Sequence, residues 1–102
     1  MASLQQQSKG LIQARKTRSQ IARLFARVER DELSVTELLG RRPSCLERMS
    51  VYDVLRRLPG LDRTGAERVL RISKIWPLTK WADLTIEDRE KILVNLPPRV
   101  KR

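Results

Sequence analysis

Residues 55–70 read LRRLPGLDRTGAERVL, and this is where the chain carries residue types suited to holding an anion. Arg56 and Arg57 precede a Pro59–Gly60 break, and Arg63 and Arg68 follow it. A helix that starts directly behind a short turn presents backbone N–H groups with no carbonyl of their own to bond. Those groups, with the positive end of the helix, attract phosphate. Gly60 has no side chain to hold a phosphate away from the backbone. Leu61 is apolar and suited to anchoring the turn in a core, and Thr64 stands three positions before Glu67, the spacing of a capped helix start. The same residues also meet a plainer need, a tight connection between two helices.

Few other chemistries are open. The chain has no histidine, the commonest general base and metal ligand. Cys45 is the only cysteine; no base stands near it in sequence to activate it, and one cysteine makes no internal disulfide. Glu87, Asp88 and Glu90 crowd a helix start, where they suit the dipole rather than a catalytic pair. With 102 residues the chain is one small domain with little room for a deep cleft, and a base-excising enzyme would need both a base-sized pocket and a nucleophile. The expectation is a protein that is not an enzyme, with no cofactor and no metal.

Charge then points to the partner. Lys and Arg number 22 against 12 acids, a net charge of +10, and 16 of the 22 are arginine, whose planar guanidinium can bond two phosphate oxygens at once. Residues 1–30 carry +6, residues 31–62 carry −1 and residues 63–102 carry +5. A polyanion is expected at the two ends of the chain, nucleic acid ahead of anionic membrane. No apolar run approaches a membrane span, and MASLQQQSKG lacks the apolar middle of a secretion signal, so a cytoplasmic protein is expected.

The elements that must position these residues read as helices throughout, since no alternating β-branched run occurs. Residues 1–7 are polar and unpatterned and are expected to be disordered. Residues 8–33 read as a long basic helix capped by Ser8. At about 100° per residue, Ala14, Ile21, Leu24, Phe25 and Val28 share an apolar arc, and Arg15, Lys16, Arg23, Arg27 and Arg30 share another that holds no acid. Leu11 and Ile12 miss the apolar arc, so the first turns should project free. The basic arc is either a solvated face or a binding face, and the absence of acids favours binding. Residues 34–96 form the helical domain. Ser34 with Glu37, Ser50 with Asp53, Thr64 with Glu67 and Thr85 with Asp88 mark four helix starts, and Gly40 and Pro59–Gly60 mark two ends. A short helical segment fits Ser44–Arg48. Val51, Val54, Leu55 and Leu58, then Ala66, Val69, Leu70 and Ile72, then Ile86, Ile92, Leu93 and Leu96, supply inward faces. Residues 97–102 are left as a basic tail. Trp81 fits the core; Trp76, beside Pro77, fits either the core or a position that stacks on bases or wedges between them.

Pro59, Gly60, Leu61 and Ala66 match the hairpin pattern of the helix-hairpin-helix superfamily. The longer stretch MSVYDVLRRLPGLDRTGAERVL, followed by KIWPLTKWADLT and a final helix, resembles the actinobacterial type of integration host factor. The similarity spans about residues 9–96 and is strongest at 49–70. The resemblance implies an all-α fold in which a long N-terminal helix packs on a small domain with a helix-two-turns-helix element like that of ribosomal protein S13. It implies a monomeric, nucleoid-associated protein that binds duplex DNA with little sequence preference, bends or compacts it, and supports a phage integrase. A phage-encoded relative fits as well as a host one. Carried onto this chain, the family's DNA contacts fall on Gly60, Leu61, Asp62, Arg63 and Thr64, and on Arg48 and Ser50 in a lid around Met49. Arg15, Lys16, Arg23, Arg27 and Arg68 add charge.

Two departures stand out. Asp62 occupies a position where the family has a second glycine; aspartate tolerates a left-handed backbone better than most residues, but its carboxylate would stand beside a phosphate. Where the family has an arginine cluster, this chain reads TKWAD and keeps only Lys80. An alternative therefore stays open: a protein-interaction or RNA-binding module that keeps the fold but meets a host or ribosomal partner. On the duplex reading, a bulky side chain at Gly60 is expected to impair DNA binding more than folding.

Overall fold

The computed structural model describes residues 4–41 and 43–100, with side chains from residue 14 onward. Five α-helices follow one another: α1 (Leu4–Glu29), α2 (Val35–Arg41), α3 (Val51–Leu55), α4 (Arg63–Ser73) and α5 (Ile86–Asn95). Short 3₁₀ turns stand at Ser44–Leu46 and Trp81–Asp83. Among the described residues there is no strand, only an isolated antiparallel bridge between Ser50 and Lys80. The all-α expectation is met.

α1 begins four residues ahead of the Ser8 cap, so residues 4–7, expected to be disordered, lie in the helix. Glutamine loses little rotamer freedom in a helix, and nothing in QQQ stops one. Residues 1–3, the side chains of Leu11 and Ile12, and Lys101 and Arg102 lie outside the described residues. At about 1.5 Å per residue, the 26 residues of α1 span roughly 39 Å. The molecule measures 49 × 29 × 23 Å. Phe25 and Val28 are buried and Ile21 and Leu24 partly so, which docks the second half of α1 on the domain as its apolar arc predicts; Ala14 is exposed.

Three of the four expected caps form. The Ser34 hydroxyl accepts from Glu37 N–H at 3.1 Å and the Ser50 hydroxyl from Asp53 N–H at 3.1 Å. Thr85 and Asp88 bond each other's backbone N–H reciprocally, both at 3.1 Å. The fourth is elsewhere: α4 starts at Arg63 and Asp62 caps it, its carboxylate accepting from Gly65 N–H at 2.7 Å. Thr64 lies inside the helix. A carboxylate also satisfies the positive helix end better than a hydroxyl does, which is why Asp62 takes the place expected of Thr64. Gly40 does not end α2, which runs on to Arg41, and α3 stops at Leu55, short of Pro59–Gly60.

α4 and α5 pack together, with α3 against α4, α2 against α5, and α1 against the Ser44–Leu46 turn. Trp81 is buried in the core, as expected. Ile72 and Ile86, expected to face inward, are exposed. Ile72 lies on the outer side of α4, whose inner side is filled by Ala66, Val69, Leu70 and Ser73, and Ile86 is the first residue of α5.

Two features hold the domain closed beyond its apolar packing. Arg89 is buried, and its guanidinium donates to the carbonyls of Leu39 (2.6 Å), Trp81 (2.9 Å) and Leu84 (3.4 Å) while lying 5.3 Å from the Trp81 ring. It ties α5 to the end of α2 and to the Trp81 turn. The segment following α5 is no free tail up to residue 100. Leu96 and Val100 are buried, and Arg99 Nε donates to the Gly60 carbonyl at 2.8 Å. Val100 is the apolar residue that pulls it in.

Candidate nucleic-acid interface

At the hairpin, Leu61 N–H bonds the Leu58 carbonyl at 3.1 Å and the Leu61 side chain is buried, so only its backbone can meet a ligand. Gly60 adopts φ +83°, a conformation side chains resist. A Cβ there would stand 2.8 Å from the Arg99 carbonyl. The close approach expected of a phosphate at Gly60 is thus made by the chain's own C-terminal segment. Asp62 has φ −91°, so the left-handed conformation expected of it is not needed. Its carboxylate closes onto Gly65, where a Cβ would lie 2.9 Å from both Asp62 Oδ1 and Leu61 Cδ1.

Of the α4 start, the N–H groups of Arg63 and Thr64 have no acceptor among the described residues. Arg63 and Arg68 are exposed, Arg63 lying 3.9 Å from Glu67. Arg99 adds a cation that sequence reasoning left in a loose tail. One Nη of its guanidinium is 3.4 Å from where a Gly65 Cβ would be, beside the opening of α4. Its signal was the apolar Val100 directly behind it.

The lid is more self-satisfied than expected. Ser50 spends its hydroxyl on Asp53. Val51 N–H donates to the Thr79 carbonyl (2.7 Å) and Tyr52 N–H to the Pro77 carbonyl (3.2 Å). The start of α3 is therefore occupied, and Ser50 is a structural cap with its backbone bridged to Lys80. Lys80 itself is exposed.

Arg48 instead belongs to a groove between α1 and the Ser44–Leu46 turn. It has a volume of about 700 Å³ and is lined by Ala14, Thr17, Arg18, Gln20, Ser44, Cys45, Glu47 and Arg48. Arg18 was missed because its angular position falls beside the apolar arc rather than within the basic one. Two guanidinium groups with hydroxyl and amide donors suit phosphate oxygens, against which Glu47 sets one carboxylate in the same groove. Burial pushes the Cys45 thiol upward, more than a backbone hydrogen bond lowers it, so it stays protonated and unreactive at neutral pH. Around the helix from this groove, Arg15, Lys16 and Arg23 are exposed with no carboxylate partner among the described residues. Arg27 and Arg30 reach Glu32 at 4.0 and 3.4 Å, so the lower end of the basic arc is partly neutralised.

The hairpin, the groove and the α1 strip thus give three basic surfaces on one small helical scaffold. No family model matches the sequence, and no curated protein matches it. Among solved structures, a structure of sIHF bound to an 8bp palindromic DNA superposes with a TM-score of 0.73, over 83% of this chain and 98% of that one, at 17% identity. The fold is shared with sIHF. The superposition takes in nearly the whole of sIHF, so the likeness is to its entire architecture and not to the hairpin alone. The resemblance drawn from the hairpin residues is therefore met as an integration-host-factor-like fold, and the sIHF chain that displays it is bound to DNA. No helix among the described residues of this chain is long and apolar enough to cross a membrane.

Proposed function

We propose that this protein is a non-enzymatic architectural DNA-binding protein of the actinobacterial integration-host-factor kind. In this reading it grips duplex DNA with little sequence preference, bends or compacts it within the nucleoid as a cytoplasmic monomer, and supports a phage integrase. The observation that carries the reading is the exposed strip of unpaired bases on α1 beside the Arg18–Arg48 groove. Hydrated cations concentrated without acids raise the local potential and steer a polyanion. Phosphate contacts hold any duplex alike. At the hairpin, the groups facing DNA are Arg63, Thr64, Arg68 and Arg99, while Asp62 opposes them.

Replacing Arg15, Lys16, Arg23 and Arg27 together by alanine is expected to weaken binding to every duplex equally. The slope of log affinity against log salt should become shallower by about 0.9 for each phosphate the variant no longer neutralises. An unchanged slope in a fluorescence-anisotropy titration would show a merely solvated face.

Asp62 gives a second measurement. Asp62→Gly should lower stability by only a few tenths of a kcal/mol, because glycine is an adequate N-cap, whereas Asp62→Ala should lose about 1 kcal/mol. Both should raise duplex affinity by removing a carboxylate from the α4 start. Unchanged affinity in both, with the protein folded, would place the hairpin away from DNA.

One observation favours the interaction-module reading. A groove of about 390 Å³ between α2 and α5 is lined by Thr36, Leu39, Gly40, Ile86, Arg89, Glu90 and Leu93, with Ile86 exposed on its rim. Electrophoretic shifts with a random duplex and with an RNA hairpin, each over a salt series, separate the readings. Preference for the RNA, or no shift with either, favours the module.

A further inference from the structure

Phosphate contacts leave one part of the surface unexplained. Trp76 and Leu78 are 69% and 67% exposed on the connection between α4 and the Trp81 turn. This connection is braced. Lys74 ends α4 in the left-handed conformation (φ 58°), Ile75 is buried behind it, and Thr79 N–H closes a turn onto the Trp76 carbonyl at 3.0 Å. The turn's own carbonyls at Pro77 and Thr79 are held by the first N–H groups of α3. Two large apolar side chains are thus displayed on a support that has little freedom to withdraw them.

The surroundings are cationic. Residues 68–80 contain Arg68, Arg71, Lys74 and Lys80 and no acid. Ile75 and Pro77, on either side of Trp76, line a cleft of about 460 Å³ shared with Tyr52, Arg63, Glu67 and Arg71. Its one carboxylate, Glu67, lies 3.9 Å from Arg63. Through Arg63 the cleft is continuous with the hairpin. The cations commit the occupant to a polyanion, and two exposed apolar side chains two positions apart on a braced turn suit the polyanion's stacked bases rather than its phosphates. Proteins that kink DNA insert apolar wedges between base pairs while cations hold the flanking backbone.

We propose that Trp76, on the same exposed turn as Leu78, enters a base step of bound duplex DNA and kinks it. The proposal rests on the duplex-binding reading above and adds the device that bends.

The test uses the full chain and a short duplex labelled at both ends for energy transfer. Trp81 is buried, so acrylamide quenching of tryptophan emission reports mainly Trp76. Duplex is expected to protect Trp76 from acrylamide and to bring its own ends closer on binding. Trp76→Ala should keep affinity within about tenfold and abolish the change in end-to-end distance, while Trp76→Phe should retain most of it. If duplex binds while Trp76 stays fully quenchable, or if Trp76→Ala bends as well as the parent, the wedge is wrong and duplex binding stands. If no duplex binds, the underlying reading fails with it. The quenching arm needs no substitution and is independent of whether a variant folds.

Discussion

Replacing Arg89 with alanine should destabilise the fold by about 3 kcal/mol and lower the melting temperature by on the order of 15 °C. Its guanidinium donates to three carbonyls from two separate segments: Leu39 in α2, and Trp81 and Leu84 in the turn ahead of α5. Alanine would withdraw those bonds; the Trp81 carbonyl keeps the Leu84 N–H at 3.3 Å, so the largest loss is the 2.6 Å bond that ties α5 to Leu39 of α2. The cation–π interaction with Trp81 would go as well. Lysine should recover only part of the loss, because a single ammonium does not reproduce the fork. Urea denaturation followed by circular dichroism measures it, and a midpoint within error of the parent would show that Arg89 is solvated. Arg89 lies apart from the exposed basic surfaces, so a conservative variant that stays folded should leave the salt dependence of DNA binding alone.

The second large effect is at Gly60. Gly60→Ala should cost about 2 kcal/mol, from the left-handed backbone that an L residue resists and from a methyl placed 2.8 Å from the Arg99 carbonyl. The nearest atom is backbone, so relief requires moving residues 97–100 away from the hairpin. Gly60→Gln should cost at least as much. This reverses the expectation from sequence, in which a bulky residue at Gly60 harms DNA binding before folding. Amide hydrogen exchange should locate the damage, with Val100 N–H, bonded to the Pro97 carbonyl at 3.0 Å, losing protection first. Intact protection beside weakened DNA binding would restore the phosphate reading of Gly60.

Helix starts were legible because capping is local: Ser34, Ser50 and Thr85 each find their donor three residues on, and no distant packing intervenes. Asp62 and Thr64 were two candidates within one turn. The Thr64–Glu67 spacing pointed to the wrong one because the pattern weighs side-chain types and not which N–H is first left free. The core faces of α3 and α4 followed from periodicity, except Ile72, where an apolar type at the edge of the pattern lies outside. Arg89 carries no signal in the sequence that marks it as buried: arginine is seldom buried, and its Leu39 partner is 50 positions away. The groove joining Arg18 to Arg48 was illegible for the same reason: it exists only once α1 lies against the Ser44–Leu46 turn. For Trp76, composition left core and surface open, and only the braced turn at Pro77 decides it.

The bond between Arg99 and Gly60 also bears on timing. The two residues are 39 positions apart in the chain. At synthesis rates of about 5–20 residues per second, the hairpin is made roughly 2–8 s before the segment that covers it. During that interval the turn has no cover over Gly60, whose φ of +83° in the folded chain is readily reached by glycine and resisted by alanine. Chains carrying Gly60→Ala should therefore be cleaved by protease during synthesis more than their equilibrium stability alone accounts for.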